Sequence, residues 1–153
     1  MNNFPVIKDG KEYWISRSIA VACFVYKIVN DEIYVLANKR GSGTPDFQGY
    51  WNVPCGYLDY DETLEQAVIR EVKEECGITI TNPVHFGIDS NPKSNKQNVT
   101  IRYVSFYDNQ EETLKPNGGE ENEVEDIKWI NIKDVDSYWW AFNHGELIKE
   151  LFE

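Results

Sequence analysis

The chain has 153 residues, of which 41% are hydrophobic and 14% aromatic, and its net charge is −11. This length and composition predict one compact domain over residues 1–153, with its own core rather than a disordered tail. The acidic charge and the lack of a basic patch argue against a nucleic-acid binder.

No apolar run reaches the roughly 18 residues that a membrane helix needs, so we expect no membrane partner. The polar N-terminal stretch MNNFPVIKDGKEYW contains no apolar signal core, which argues against secretion. The three cysteines, Cys23, Cys55 and Cys76, are odd in number and show no CxxC spacing. We therefore expect reduced thiols, no zinc site and a cytoplasmic location.

The first predicted elements are two strands rich in β-branched and aromatic residues, over 18–29 and 32–40. The turn-like pair Asn30-Asp31 between them predicts a hairpin. Glycine and proline punctuate residues 41–56, which predicts a loop with a short strand around 51–53.

After the first helix, another strand is predicted over 99–108, followed by an acidic loop over 109–126. A short strand over 127–132 and an amphipathic helix over 144–153 complete the pattern. Several strands with two helices in mixed order predict an α/β sandwich with a partly antiparallel sheet.

The first helix has clear boundaries in the sequence. Thr63 and Gln66 have the spacing of a capping box, which makes Thr63 the N-cap, and Gly77 suits the left-handed residue that ends a helix. A buried stripe is predicted from apolar residues at spacings of three and four: Leu64, Ala67, Val68 and Val72.

The same helix crowds glutamates near its C-terminal end, where the macrodipole is already negative. At about 100° per residue, Glu71 falls within the apolar stripe, and Glu74 and Glu75 lie on its two sides. Buried, unneutralised carboxylates cost several kcal/mol, and a bound Mg²⁺ or Mn²⁺ would remove that penalty. The alternative is a solvated acidic face with surface ion pairs such as Glu74 with Arg70.

Gly56, Glu62 and the run REVKEECGI over 70–78 together resemble the complete Nudix box, over 56–78, and similarity to the Nudix hydrolase family extends over about 19–152. The sequence departs from common family choices just outside the strict signature, at Cys55, Asp59 and Asp61.

The resemblance implies a Nudix α/β/α sandwich with a mixed β-sheet between helices. It also implies Mg²⁺- or Mn²⁺-dependent hydrolysis of a nucleoside diphosphate linked to another group. Metal ions would neutralise the diphosphate and make water acidic enough to attack phosphorus. The matching box positions make Glu71, Glu74 and Glu75 the expected metal ligands, and one of them, Glu71 or a partner, is also the candidate general base.

Four further residues have expected roles in this site. Gly56 is expected to let the backbone approach phosphate or metal, and Glu62 to complete the metal cluster through hydrogen bonding. Arg70 is expected to hold Glu62 or Glu74 in place. Glu123, in the acidic loop, matches the spacing of a loop glutamate that reaches the metals in some Nudix enzymes. Its neighbours Glu120, Glu121 and Glu125 are alternatives to it.

The substrate is less strongly indicated. Pro92 and the ending AFNHGELI resemble the branch of the family that cleaves ADP-ribose. The expected substrate is a small nucleotide, either ADP-ribose or a related nucleotide sugar. The alternatives are a nucleoside triphosphate cleaved to pyrophosphate, or binding without catalysis in a sensor domain. The sequence does not fix the oligomeric state, although many relatives are dimers and the N-terminal segment could supply the interface of a homodimer.

Other residues have weaker patterns. His85 and His144 are expected to be structural or surface groups, since no partner at ligand spacing accompanies either. Three arginines could meet phosphate or base, or equally pair with acids: Arg17, Arg40 and Arg102. The aromatic residues before the last helix are predicted to be core or interface, with stacking on a nucleobase as an alternative: Trp139, Trp140 and Phe142.

Overall fold

The computed structural model describes residues 3–109 and 112–153. It begins with a separate two-stranded hairpin, β1 (Phe4–Lys8) and β2 (Lys11–Ile15). The sequence analysis did not predict this hairpin, and its strand residues are almost all exposed.

A seven-stranded mixed sheet forms the centre of the fold. Its strands are β3 (Ile19–Val29), β4 (Glu32–Arg40), β5 (Trp51–Asn52), β6 (Cys55–Tyr57), β7 (Val84–Ser90), β8 (Val99–Phe106) and β9 (Val124–Asn131). Strands β3 and β8 pair in parallel, whereas the other pairs are antiparallel. The predicted hairpin of β3 and β4 is confirmed, and its turn residues Asn30 and Asp31 both have the positive φ that such turns require.

The helices α1 (Leu64–Cys76) and α2 (His144–Phe152) cover opposite faces of the sheet, and a 3-10 helix (Ile132–Ser137) lies against α2. Alternation along β3 explains the two layers. Val21, Cys23 and Val25 join the core under α1, while Ala22 and Phe24 join the core under α2. The predicted sandwich of a mixed sheet between helices is therefore confirmed.

The structure corrects the predicted strands at three places. Strand β7 was not predicted. Strand β9 begins at Val124, inside the predicted acidic loop, because it pairs with β4 as far as Arg40. Residues 55–57, which were predicted to be loop or turn, form β6 because they pair with Ala20, Val21 and Ala22 of β3.

The predicted caps of α1 are confirmed. The Thr63 hydroxyl accepts a hydrogen bond from the Gln66 backbone N–H, and the Gln66 side chain accepts one from the Thr63 N–H. Gly77 ends the helix with φ of 82°. These two ends fix the register that turns Glu71 and Glu75 toward β6.

Candidate active site

A cavity of about 900 Å³ opens beside the C-terminal half of α1. Strand β6, the loop after β4, the loop between β7 and β8, and the segment before β9 complete its walls. Of the glutamates expected at the metal cluster, four line this cavity and Glu62 does not: Glu71, Glu74, Glu75 and Glu123.

Two of these carboxylates are buried, Glu71 with 7% and Glu75 with 3% of its surface exposed. Burial raises the pKa of Glu71 to about 7, and it raises the pKa of Glu75 well above its ordinary value. The negative charge of Glu123 raises both pKa values further. Glu75 keeps one polar partner, since its Oε2 accepts a hydrogen bond of 3.1 Å from the Cys55 N–H. The site therefore contains carboxylates that resist ionisation until a positive charge approaches.

Gly56 of β6 faces the carboxyl group of Glu71. A Cβ atom at this position would overlap that carboxyl group. The absent side chain therefore makes room for Glu71, and the backbone of β6 forms the floor of the site.

Arg70 lies at the centre of the carboxylate group, as expected. Its Nη1 lies 2.7 Å from Glu71 Oε1 and 3.2 Å from Glu74 Oε2. Its Nε and Nη2 donate to both oxygens of Glu62, at 3.0 and 2.7 Å. This planar cation thus holds three glutamates in a fixed relation.

Glu62 uses both of its oxygens in these contacts, and its Oε1 also accepts a hydrogen bond from the Asp59 N–H. The hydrogen bonds with Arg70 lower the pKa of Glu62. The structure therefore gives Glu62 a positioning role through Arg70, in line with the hydrogen-bonding role expected of it. The expected place of Glu62 in the metal cluster stays a prediction.

The acidic loop presents Glu123 to the cavity through backbone contacts. The Gly41 N–H donates to the Glu123 carbonyl and the Gly43 N–H donates to the Asn122 carbonyl, both at 2.8 Å. Cβ atoms at Gly41 and Gly43 would collide with this segment, so the close approach depends on the two glycines. Of the alternatives, Glu120 also lines the cavity, whereas Glu125 pairs with Lys39 at the surface.

The donor set suits a hard divalent cation, because carboxylate oxygens are the ligands that Mg²⁺ and Mn²⁺ prefer. Two buried acids with raised pKa values supply a reason for a cation to bind. Within the described residues, no three acidic, histidine or cysteine side chains already form a metal cage. Arg70 instead supplies the positive charge nearest to Glu71 and Glu74.

The sequence analysis did not assign Asp46 and Lys96 to the site, and it gave contact with the substrate only as an alternative for Arg40 and Phe142, yet all four line the cavity. Arg40 pairs with Asp46 at 2.6 Å, and Lys96 reaches the other oxygen of Asp46 from the loop between β7 and β8, at 3.2 Å. Phe142 contributes an aromatic wall. These residues come from separate segments that only the tertiary fold brings together, so no local spacing in the sequence could have grouped them.

The remaining side chains agree with the structural roles expected of them. His144 is buried, and its Nδ1 accepts the Val53 N–H, while His85 is exposed beside Tyr103. All three cysteines are free, and Cys76 is buried in the core under α1. No helix in residues 3–109 and 112–153 is long and apolar enough to cross a membrane.

The family follows from this fold and site together with a match over most of the chain. Residues 17–151 match the family model of the NUDIX domain. The chain belongs to the Nudix family.

Two curated relatives show how far the similarity extends. The ADP-ribose pyrophosphatase of Methanocaldococcus jannaschii is 30% identical over 143 residues, which cover 94% of this chain and 79% of that protein. The NAD-capped RNA hydrolase NudC of Vibrio atlanticus is 34% identical over 113 residues, which cover 74% of this chain. The match spans only 38% of the length of that NudC protein.

Solved structures agree on the fold. The NUDIX domain of Shewanella oneidensis NrtR, complexed with ADP ribose, superposes with a TM-score of 0.76 at 24% identity. That match covers 90% of this chain and 87% of the other. The bifunctional NMN adenylyltransferase/ADP ribose pyrophosphatase of Francisella tularensis, complexed with AMP and an Mn ion, gives a TM-score of 0.68 at 26% identity, over 89% of this chain and 41% of that one.

Proposed function

We propose that this chain is a pyrophosphohydrolase that uses Mg²⁺ or Mn²⁺ to cleave the diphosphate linkage of ADP-ribose or a related nucleotide sugar. The observation that carries the proposal is the group of glutamates around Arg70 on one wall of the cavity. An anionic diphosphate needs positive charge beside such a wall, and a divalent cation supplies it.

The proposed roles follow the geometry. Glu71, Glu74 and Glu75 hold the metal, with Glu123 completing the set from its loop, while Gly56 keeps the floor open for Glu71. A metal ion bound there would neutralise the diphosphate and make water more acidic. Glu71 or Glu123 would accept the proton as water attacks phosphorus.

The choice of substrate draws on the relatives. The Methanocaldococcus jannaschii protein is named an ADP-ribose pyrophosphatase, and the Shewanella oneidensis domain was solved with ADP ribose. The matches to NudC proteins favour one second candidate, the diphosphate of NAD or of an NAD-capped RNA. For that reason the expected absence of a nucleic-acid partner stays a prediction.

The test is a panel of substrates assayed with Mg²⁺, with Mn²⁺ and with EDTA. Cleavage of ADP-ribose yields AMP and ribose 5-phosphate, whose terminal phosphates a coupled phosphatase releases, whereas the intact diphosphate is protected. NAD is assayed in the same way, and triphosphates are assayed with a coupled pyrophosphatase. Metal-dependent phosphate release from ADP-ribose, without pyrophosphate release from triphosphates, is the expected result.

Two other outcomes would point to the alternatives. Pyrophosphate release from triphosphates alone would make the chain a triphosphate hydrolase. Nucleotide binding without turnover on the whole panel would make it a sensor domain.

Three broader statements belong to the same proposal. Residues 1–153 act as one domain, the protein functions in the cytoplasm, and it forms a homodimer in which the N-terminal hairpin takes part. Light scattering after size exclusion, with and without residues 1–16, tests the dimer.

A further inference from the structure

Two aromatic residues near the cavity have an uncommon backbone conformation. Phe47 and Phe142 have positive φ angles of 49° and 57°. Bulky side chains rarely occupy this left-handed region, and residues that do so often belong to binding or catalytic sites.

The two rings contact each other although they come from distant segments of the chain. Their centroids are 5.2 Å apart in an edge-to-face arrangement. Phe47 is 43% and Phe142 is 47% exposed. The Phe142 ring also contacts the His144 ring, with centroids 5.2 Å apart, so it is held on several sides while almost half of the residue stays exposed.

Phe142 and the acidic wall belong to one cavity. The Arg40 guanidinium lies 5.1 Å from the centre of the Phe142 ring. Arg40 itself lines the cavity, where it also pairs with Asp46 at 2.6 Å. Next to Phe142, the Asn143 side chain makes no capping hydrogen bond to α2 and also lines the cavity.

We propose that Phe142, braced by Phe47, is the surface on which the nucleobase of the substrate stacks. This inference rests on the proposed function and adds the position of the base to it. The diphosphate must lie at the acidic wall with its metal, so the flat, uncharged base is the part of the substrate that fits an aromatic wall beside Arg40. Tyr57 also lines the cavity, but Phe142 has the supporting ring and the neighbouring cation.

The test is calorimetric titration of AMP and of ribose 5-phosphate into the wild-type chain and into Phe142→Leu, with Mg²⁺ present. Stacking of a base on an aromatic ring predicts roughly fivefold to hundredfold weaker AMP binding by the variant. Binding of ribose 5-phosphate should not change, because it has no base. Phe142→Trp, which keeps an aromatic face, should retain AMP binding.

Two matched variants complete the design. Phe106→Leu makes the same change at an exposed phenylalanine that contacts Tyr26 and does not line the cavity, and it should leave AMP binding unchanged. Tyr57→Leu removes another aromatic side chain that lines the cavity and should also have little effect.

The proposal is overturned if Tyr57→Leu weakens AMP binding and Phe142→Leu does not. It is also overturned if Phe142→Leu weakens ribose 5-phosphate equally, or if the wild-type chain binds no AMP at millimolar concentration. AMP binding requires no turnover. A chain that binds AMP through Phe142 but cleaves none of the panel would therefore contradict the proposed function and leave this subsite in place.

Discussion

Glu75 is a carboxyl group in a place that disfavours its charge. It is buried on α1, close to Glu71 and Glu123, with the Cys55 N–H as a polar partner. A residue kept in such surroundings is expected to matter more for chemistry than for stability.

Glu75→Gln should therefore separate these two properties. We expect turnover to fall by orders of magnitude, while the metal-free protein unfolds at the same or a higher temperature, because a buried charge and its repulsion are removed. The stability gain should shrink as the pH falls, since the wild-type carboxyl group then takes up a proton. Metal-dependent turnover and thermal unfolding in EDTA measure the two effects.

Glu150→Gln is the matched control, since Glu150 is exposed on α2 and does not line the cavity. It should leave turnover unchanged. Glu74→Gln should behave like Glu75→Gln in the activity assay. Near-normal turnover in both active-site variants would contradict the metal assignment.

His144 should make the stability of the folded chain depend on pH in the direction opposite to that of Glu75. Burial, and then the charge of Arg40, lower the pKa of His144 from 6.5 to about 3. The unfolded chain thus binds a proton in this range that the folded chain does not, so stability should fall as the pH drops below about 6.5.

The raised pKa values of Glu71 and Glu75 act in the other direction, because the folded chain then takes up protons earlier than the unfolded one. The quantity to measure is therefore the difference in unfolding free energy between wild type and a variant that lacks His144. Relative to His144→Asn, which keeps an acceptor for the Val53 N–H, wild type should lose about 1.4 kcal/mol of unfolding free energy per pH unit between about pH 6 and pH 4. Parallel curves for the two proteins would contradict the buried, neutral state of His144.

At the scale of elements, α1 must hold its glutamates against an unfavourable dipole, which makes its first turn important. Thr63→Ala removes the capping hydroxyl and should lower the unfolding free energy by about 1 kcal/mol. Thr63→Ser keeps the hydroxyl and should be close to wild type. Urea denaturation of the three proteins measures the difference, and equal losses in both variants would show that the cap is not the cause.

The elements that could be predicted from sequence are those whose periodicity matches their burial. Strand β3 alternates between two cores, and α1 has both caps and an apolar stripe. Strand β7 has little buried surface and a register shift near Gly87, so its sequence lacks a regular pattern. The hairpin of β1 and β2 also lacks a buried face, although its Asp9-Gly10 turn is a signal that could have identified it.

The residues of the candidate site also fall into those that the sequence predicts and those that it does not. The glutamates of α1 could be predicted because one helix fixes their spacing and a family motif matches it. The grouping of Arg40 with Asp46 and Lys96 could not be predicted, because it depends on how the loops after β4 and β7 pack against each other.

At the scale of the whole molecule, a net charge of −11 makes cations stabilising in two ways. General screening reduces repulsion over the surface, whereas a specific ion stabilises only the folded state that contains its site. We expect Mg²⁺ to raise the unfolding temperature of wild type more than KCl does at equal ionic strength. The extra rise should be lost in Glu75→Gln, and equal effects of the two salts on wild type would indicate screening alone.

The backbone clamp on Glu123 has a consequence for how this protein can change. The N–H groups of Gly41 and Gly43 donate to the carbonyl groups of Glu123 and Asn122, and β9 begins at the next residue, so backbone hydrogen bonds anchor the last part of the acidic loop. Residues 112–117 lie upstream of this anchor and are held against the end of α1, because the Asn117 N–H donates to the Glu74 carbonyl at 2.8 Å and the Lys115 N–H donates to the Cys76 carbonyl at 3.2 Å. A protein engineer who grafts new substrate contacts into the acidic loop should therefore leave both glycines and this stretch unchanged, so that Glu123 and the end of α1 keep their positions.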